Sequence, residues 1–405
     1  VMPPFRKPAR RMRWITLVAI GICTFMLGLL SGTSWDRQHV QQLETSSKSD
    51  AALDLLTSSQ EQPPRCPYPY DRHSIDQIRE GQTPYLFGGI HKPKCRHCGS
   101  NSTWSNFCRF DNILPGNPAC GQDRKQWLIE GFLEREFYDI LTSTPCDLFQ
   151  LLRGHTIWVV GDSQSLDFSK ALHCFLHEFW DLKLHNISST EPQYAPFLKQ
   201  LRSAQCGNLV GGTRICYMRA DQPHTVLDLI TPILLGIGHP NDLLLLNVGL
   251  HFSPHYEIEL QKIASVFQDQ GSTLPKLLWM DTPPQHFLTE FGEFPKDFGR
   301  PPHMCWYIGK YSNQDPLRLT KDHQLTTTDP KYQSVVEGGW RNIISRAVMA
   351  AADIPVLQIW NESSALWNYH RDNGAGWECT HYCFPSAPQV WVYHLLVKLR
   401  ELQSV

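Results

Sequence analysis

Ser163 closes the run Thr156-Ile-Trp-Val-Val-Gly-Asp-Ser163, where an apolar, β-prone stretch stops at a glycine. Apolar residues at helical spacing follow at once: Phe168, Leu172, Phe175, Leu176 and Phe179. Strand, tight turn and helix in that order predict a serine hydroxyl lifted onto the C-terminal edge of a parallel sheet. There the N–H groups of the helix start face any oxyanion that the serine generates. The chemistry this permits is nucleophilic acyl transfer; the bland alternative is a serine that only caps a turn.

A serine nucleophile needs a base and a group to orient that base. Trp377-Glu378-Cys379-Thr380-His381-Tyr382-Cys383 offers both, with His381 between two cysteines and a carboxylate three residues before it. Asp372, in the nearby Asp-Asn-Gly-Ala-Gly stretch, is the rival acid. A third segment, Asn241-Asp-Leu-Leu-Leu-Leu-Asn247-Val-Gly-Leu-His251, reads as a buried parallel strand. It delivers Asn247, Gly249 and His251 to the same sheet edge as Ser163, and the Asn247 amide is a candidate oxyanion donor.

These segments resemble the SGNH-type esterases, and among them the PC-esterase branch that includes the trichome birefringence-like polysaccharide O-acetyltransferases. The resemblance runs from about Cys66 to the C-terminus and is patchy between motifs. Cys146-Asp-Leu-Phe-Gln-Leu-Leu-Arg-Gly-His leads into Gly-Asp-Ser163 as it does in that family. Asp281-Thr-Pro-Pro-Gln-His286-Phe is similar to a family stretch that has arginine where Asp281 stands. Ile215-Cys-Tyr-Met-Arg219-Ala resembles the segment carrying an arginine near the oxyanion site. Glu378-Cys-Thr-His381-Tyr-Cys-Phe-Pro resembles the closing block, with Glu378 in place of the usual aspartate.

The resemblance implies a mechanism in which Ser163 attacks an acetyl ester, His381 takes its proton and Glu378 orients His381. The Ser163 N–H, Asn247 and Arg219 are then the oxyanion donors, with Gly211 or Gly212 as rivals. His251 and His286 match positions near the family's site, where substrate binding and packing are both open to them. Asp162 is expected to brace the turn. The implied activity is transfer of acetyl through an acetyl-serine to a glycan hydroxyl. An acetylesterase and a catalytically silent glycan-binding protein of the same fold are the alternatives. No cofactor is expected beyond the acetyl donor.

The elements that must position these residues read as alternating strands and helices from His155 onward. Apolar runs at Lys276–Met280 and Pro355–Trp360 fit further parallel strands, and Glu257–Phe267 and Ser334–Ala352 fit covering helices. This predicts a three-layer α/β/α domain of the SGNH-hydrolase type around a central parallel sheet, with its core over residues 151–405. Residues 65–150, rich in cysteine, glycine and proline, are expected to wrap that core as loops.

Before them, Arg6, Lys7, Arg10, Arg11 and Arg13 precede Trp14–Leu30, 17 residues without a charge. That is at the lower limit for one membrane helix and favours a retained signal anchor with a cytosolic tail at 1–13, a cleaved signal peptide being the rival reading. Residues 31–64, rich in Ser, Gln and Asp, read as a stem. The globular part is thus expected in the lumen of the Golgi or another secretory compartment, as a single-pass type II protein. Twelve cysteines beyond the anchor fit a disulfide-bonded domain. Zinc at Cys95-x-x-Cys98 or at Cys379, His381 and Cys383 is the competing reading; no metal is expected. Asn101, Asn186 and Asn361 open glycosylation sequons. A formal net charge of −2, with no basic face beyond the tail, argues against nucleic acid as a partner. Absence of a phosphate loop or dinucleotide fingerprint gives a nucleotide cofactor no support.

Overall fold

The computed structural model describes residues 66, 70–88, 108, 119–181, 205–251, 253–287, 293–294, 305, 318–319, 325–326, 335, 337–372 and 377–403. The expected anchor and stem, Cys95, Cys98, Asn101 and Asn186 lie outside the described residues. Among the described residues no helix is long and apolar enough to cross a membrane.

The segment expected to wrap as loops is in large part helical between residues 122 and 152. Helix α1 (Gln122–Glu134) buries Leu128, Ile129 and Phe132 at helical spacing. Helix α2 (Pro145–Leu152) starts at a capping box, in which the Thr144 hydroxyl accepts from the Asp147 N–H and Asp147 accepts from Thr144, with Pro145 at the first position. Cysteines and prolines drew attention to turns here, while the short apolar faces between them carry the helices.

Strand β1 (Thr156–Gly161) leads into helix α3 (Ser163–Phe175). A hairpin of β2 (Gln205–Asn208) and β3 (Arg214–Arg219) follows, then helix α4 (Thr231–Ile237) and β4 (Leu243–Asn247). Helix α5 (Tyr256–Asp269) precedes β5 (Lys276–Met280). The short β6 (Arg318–Leu319) and β7 (Leu325–Thr326) pair only with each other. Helix α6 (Trp340–Ala351), β8 (Val356–Leu357) and α7 (Trp360–Ser364) come next. The hairpin β9 (His370–Asp372) and β10 (Trp377–Tyr382) precedes the closing helix α8 (Ala387–Gln403).

The central sheet has the order β2-β3-β1-β4-β5-β8, parallel throughout except that β2 runs antiparallel to β3. Alternate residues of β1 feed two different cores, as a pleated strand requires. Ile157 and Val159 join Phe168, Leu172 and the α8 residues Val392, Leu395 and Leu396 on one face. Trp158 and Val160 join Ile233, Leu260, Ile263 and Met349 from the helices on the other. Both faces are covered, so the strands read as continuous apolar runs. At the lower edge the buried Asp242 carboxylate accepts from the Thr156 N–H at 2.8 Å and the Trp158 indole at 3.1 Å, which ties β4 to β1.

Five disulfides connect described cysteines: Cys66–Cys146, Cys108–Cys174, Cys120–Cys383, Cys206–Cys216 and Cys305–Cys379. Cys108–Cys174 fastens the segment before the core to α3, and Cys120–Cys383 fastens it to the hairpin that carries His381. Cys379 and Cys383, which the zinc reading would need as thiolate ligands, are both committed to disulfides.

Candidate active site

Ser163 is the first residue of α3 at the C-terminal edge of the sheet. The turn before it is built by close approach. A Cβ on Gly161 would stand 2.2 Å from the Asn247 carbonyl oxygen and 2.3 Å from the Ser165 hydroxyl. No side chain fits, so β1 and β4 can approach only with glycine there. Gly161→Ala is expected to lose about 3 kcal/mol, at the upper end of what overpacking costs, as a lower urea midpoint at unchanged slope.

Asp162 caps α3, accepting from the Gln164 N–H at 2.9 Å and from the Leu250 N–H at 3.2 Å. Its carboxylate is fully buried, and burial raises its pKa against the opposing pull of those N–H groups and His251. Tyr217 of β3 donates its hydroxyl to the carbonyls of Gly161 (3.1 Å) and Asp162 (3.0 Å). The serine is thereby held by a brace on each side, and its own N–H lies at a helix start with no intrahelical acceptor.

His381 lies on β10, and its Nε2 is 2.6 Å from the Ser163 Oγ. Its Nδ1 is hydrogen-bonded to Glu378 Oε2. Glu378 is locked in turn by the N–H groups of Thr380 and His381, each at 3.0 Å. Asp372, the rival acid, pairs by its backbone with Trp377 on the adjoining strand. Serine, imidazole and carboxylate therefore form one hydrogen-bonded chain across 218 residues of sequence. The disulfides of Cys379 and Cys383 pin the strand on either side of the imidazole. Gln164, next to the serine, donates to the Thr380 carbonyl at 3.0 Å and joins the two halves directly.

Burial pushes the His381 imidazole down, but the Glu378 hydrogen bond and the charges of Asp167 and Glu378 outweigh it, so its pKa stands above the ordinary value. Burial raises Glu378, yet the hydrogen bond and charge of His381 and the two N–H donors leave its pKa lowered. One turn along α3, Asp167 is buried and pairs with Arg371 and Lys170. Arg371 also donates Nε to the Tyr382 carbonyl at 3.0 Å, so it clamps the β9–β10 hairpin onto α3. The sequence reading missed Asp167, Arg371, Gln164 and Tyr217. An acid four residues after the serine, among apolar positions of one helix, is the signal that could have found Asp167.

The other expected site residues fall in several places. Asn247 ends β4 at the right edge and is buried, but its amide donates to the Met280 carbonyl (2.8 Å) and the Thr282 hydroxyl (3.1 Å). Both amide protons are spent there, and an oxyanion role would require the side chain to leave these partners. Arg219 ends β3 beside Gly161, with its Nε 3.0 Å from both carboxylate oxygens of Asp221. Gly212 is a correction. It sits in the turn before Arg214, which pairs with Thr156 at the start of β1, so Gly211 and Gly212 occupy the opposite edge of the sheet from Ser163.

His286 is also corrected as a substrate-binding residue, because it is completely buried and bonded to His370 and the Ser364 carbonyl. His251 is exposed beside the buried Asp162 carboxylate, on which its charge acts. Asp281, where the resembling family has arginine, is buried in an ion pair with Arg346 and accepts from the Ile359 N–H at 3.2 Å. Asn361 lies half-buried in α7, and the sequon's Ser363 is buried and donates to the Ile359 carbonyl. A pocket bounded by Leu250, Thr282, Gln285, Trp340, Arg341 and Trp360 reaches the same sheet edge. Gln285 donates from that wall to the Thr380 hydroxyl at 2.8 Å.

Such a chain can activate a hydroxyl for attack on an acyl carbon, with a helix N-terminus to receive the developing negative charge. Comparison of the chain with protein-family models and with curated proteins finds no match to either.

Proposed function

We propose that this protein is a serine-dependent acyltransferase of the SGNH-hydrolase type, acting on acetyl groups of glycans. The observation that carries the reading is the hydrogen-bonded chain Ser163–His381–Glu378 at the C-terminal edge of a mostly parallel sheet. The sequence resemblance to polysaccharide O-acetyltransferases supports acetyl as the group and a glycan as acceptor. Basic residues before Trp14–Leu30, together with the disulfides, support a type II membrane protein with this domain in the Golgi lumen.

In the proposed cycle the Ser163 Oγ bonds to the acetyl carbon as its proton passes to His381 Nε2. Glu378 stabilises the imidazolium, and the Ser163 N–H at the helix start meets the oxyanion, with Arg219 at the same edge. Collapse expels the donor's oxygen or sulfur, which takes the proton from His381 and leaves acetyl-Ser163. A sugar hydroxyl gives its proton to His381 and attacks the acetyl carbon, and the Ser163 Oγ is expelled as it takes that proton back from His381. Water in place of the sugar makes the same cycle an acetylesterase.

The test incubates the purified full chain with an acetyl ester, with and without candidate oligosaccharides. Acetylated oligosaccharide is the expected product. Free acetate alone would turn the reading to a hydrolase. No turnover of any ester or thioester by folded protein would turn it to a glycan-binding module.

A further inference from the structure

Beneath the base hairpin two buried imidazoles form a chain with a carbonyl at each end. His370 Nδ1 is 3.0 Å from the His381 carbonyl oxygen, His370 Nε2 is 2.6 Å from His286 Nδ1, and His286 Nε2 is 3.2 Å from the Ser364 carbonyl oxygen. A carbonyl oxygen only accepts, so each end contact needs an N–H, and the central contact needs one as well. Three protons are required, and two neutral rings carry two. Burial drives the His286 pKa to about 3, and burial followed by the charges of His286, His381 and Arg371 drives His370 well below the ordinary value. Both rings are thus neutral near pH 7, and one end of the chain must go without a proton.

The surroundings decide which end. In the β9–β10 ladder Glu378 pairs with Arg371 and Tyr382 with His370, so Cys379, Thr380 and His381 bulge out between them without ladder partners. The His381 contact is the shorter of the two end contacts, 3.0 against 3.2 Å, and His370 supplies the donor that the ladder does not. The Ser364 carbonyl instead ends α7, where carbonyls without intrahelical partners are the rule.

We infer that His370 is a positioning residue for the base: with the proton on Nδ1 in both rings, His286 fixes the His370 tautomer and His370 grips the backbone of His381. The inference rests on the assignment of His381 as the base. The grip acts on the residue whose imidazole must meet Ser163 on one side and Glu378 on the other. His370 also stacks on Tyr382, ring centroids 4.3 Å apart, so removal of its N–H can be separated from removal of its ring.

The test uses the full-length chain with 15N-labelled histidine. The nitrogen shifts of His370 and His286 are expected to report protonated Nδ1 and bare Nε2. Protonated Nε2 on His370 would overturn the inference, since the His381 carbonyl would then face a lone pair. His370→Phe keeps the stacked ring and loses the donor. It is expected to displace the Nδ1–H signal of the His381–Glu378 hydrogen bond and lower kcat on the order of 10–100-fold with KM nearly unchanged, the scale for a residue that orients an active-site imidazole. His370→Asn, whose amide can reach the Nδ1 position, should recover part of both. A folded His370→Phe protein with an unmoved His381 signal would make His370 a packing residue only. Should His370→Phe not fold, the tautomer in the wild-type chain still decides. Because the nitrogen shifts need no substrate, a chain that turns over nothing would sink the proposed activity and leave this measurement standing.

Discussion

Ser163→Ala should lower turnover of an acetyl ester by about 10⁶-fold, the scale at which removing the nucleophile disables a serine triad. The hydroxyl is the atom within 2.6 Å of the His381 Nε2, and its neighbours Asp162 and Tyr217 act on the turn through hydrogen bonds that the alanine leaves intact. Stability should therefore change little. Mass spectrometry of wild-type protein quenched during turnover should place a single acetyl group on the peptide containing Ser163, and the alanine variant should carry none. An adduct on another peptide, or full activity in the variant, would remove Ser163 from the chemistry.

Glu378→Gln should cost about 10⁴ in turnover, because an amide no longer holds the imidazole in the tautomer that accepts the serine proton. It should also move the acid limb of the rate profile. His381 works as a base only when neutral, and its pKa stands above the ordinary 6.5, so wild-type activity should rise with pH through a midpoint above that value. Without the carboxylate the lowering effect of burial meets less opposition, and the midpoint should shift to lower pH. Asp372→Asn should be mild on both counts. A large loss in Asp372→Asn with a mild one in Glu378→Gln would exchange their roles. Two mild effects would leave a Ser–His dyad.

The strand, turn and helix around Ser163 were legible because everything that makes them is local. One apolar run, one glycine and one helical spacing lie within about 25 residues. The parallel sheet was legible for the same reason, strand by strand. Its direction was not legible at β2, where the chain turns back, so Gly211 and Gly212 stood as rivals of Arg219 although they lie at the opposite end of β3. Nothing in the run around residues 205–219 states which end of β3 meets Ser163. The Asn247 amide illustrates a second limit. Its position at a strand end is written in the sequence, but its partners Met280 and Thr282 come from another strand and decide where the amide points. His370 and His286 were out of reach in a different way, since 84 residues separate two rings whose meaning lies in their contact.

The disulfides that bracket His381 set an order of events during synthesis. Ser163 emerges 218 residues ahead of His381, and Cys120 waits 263 residues for Cys383. Cys379, on the other flank, closes back onto Cys305, 74 residues earlier. A growing chain thus carries a serine with no imidazole to activate it, and esters in its surroundings meet an inert hydroxyl. On the proposed reading, reactivity arrives only when β10 has been made and has met α3, so the hydrolytic hazard of an activated serine belongs to the completed fold.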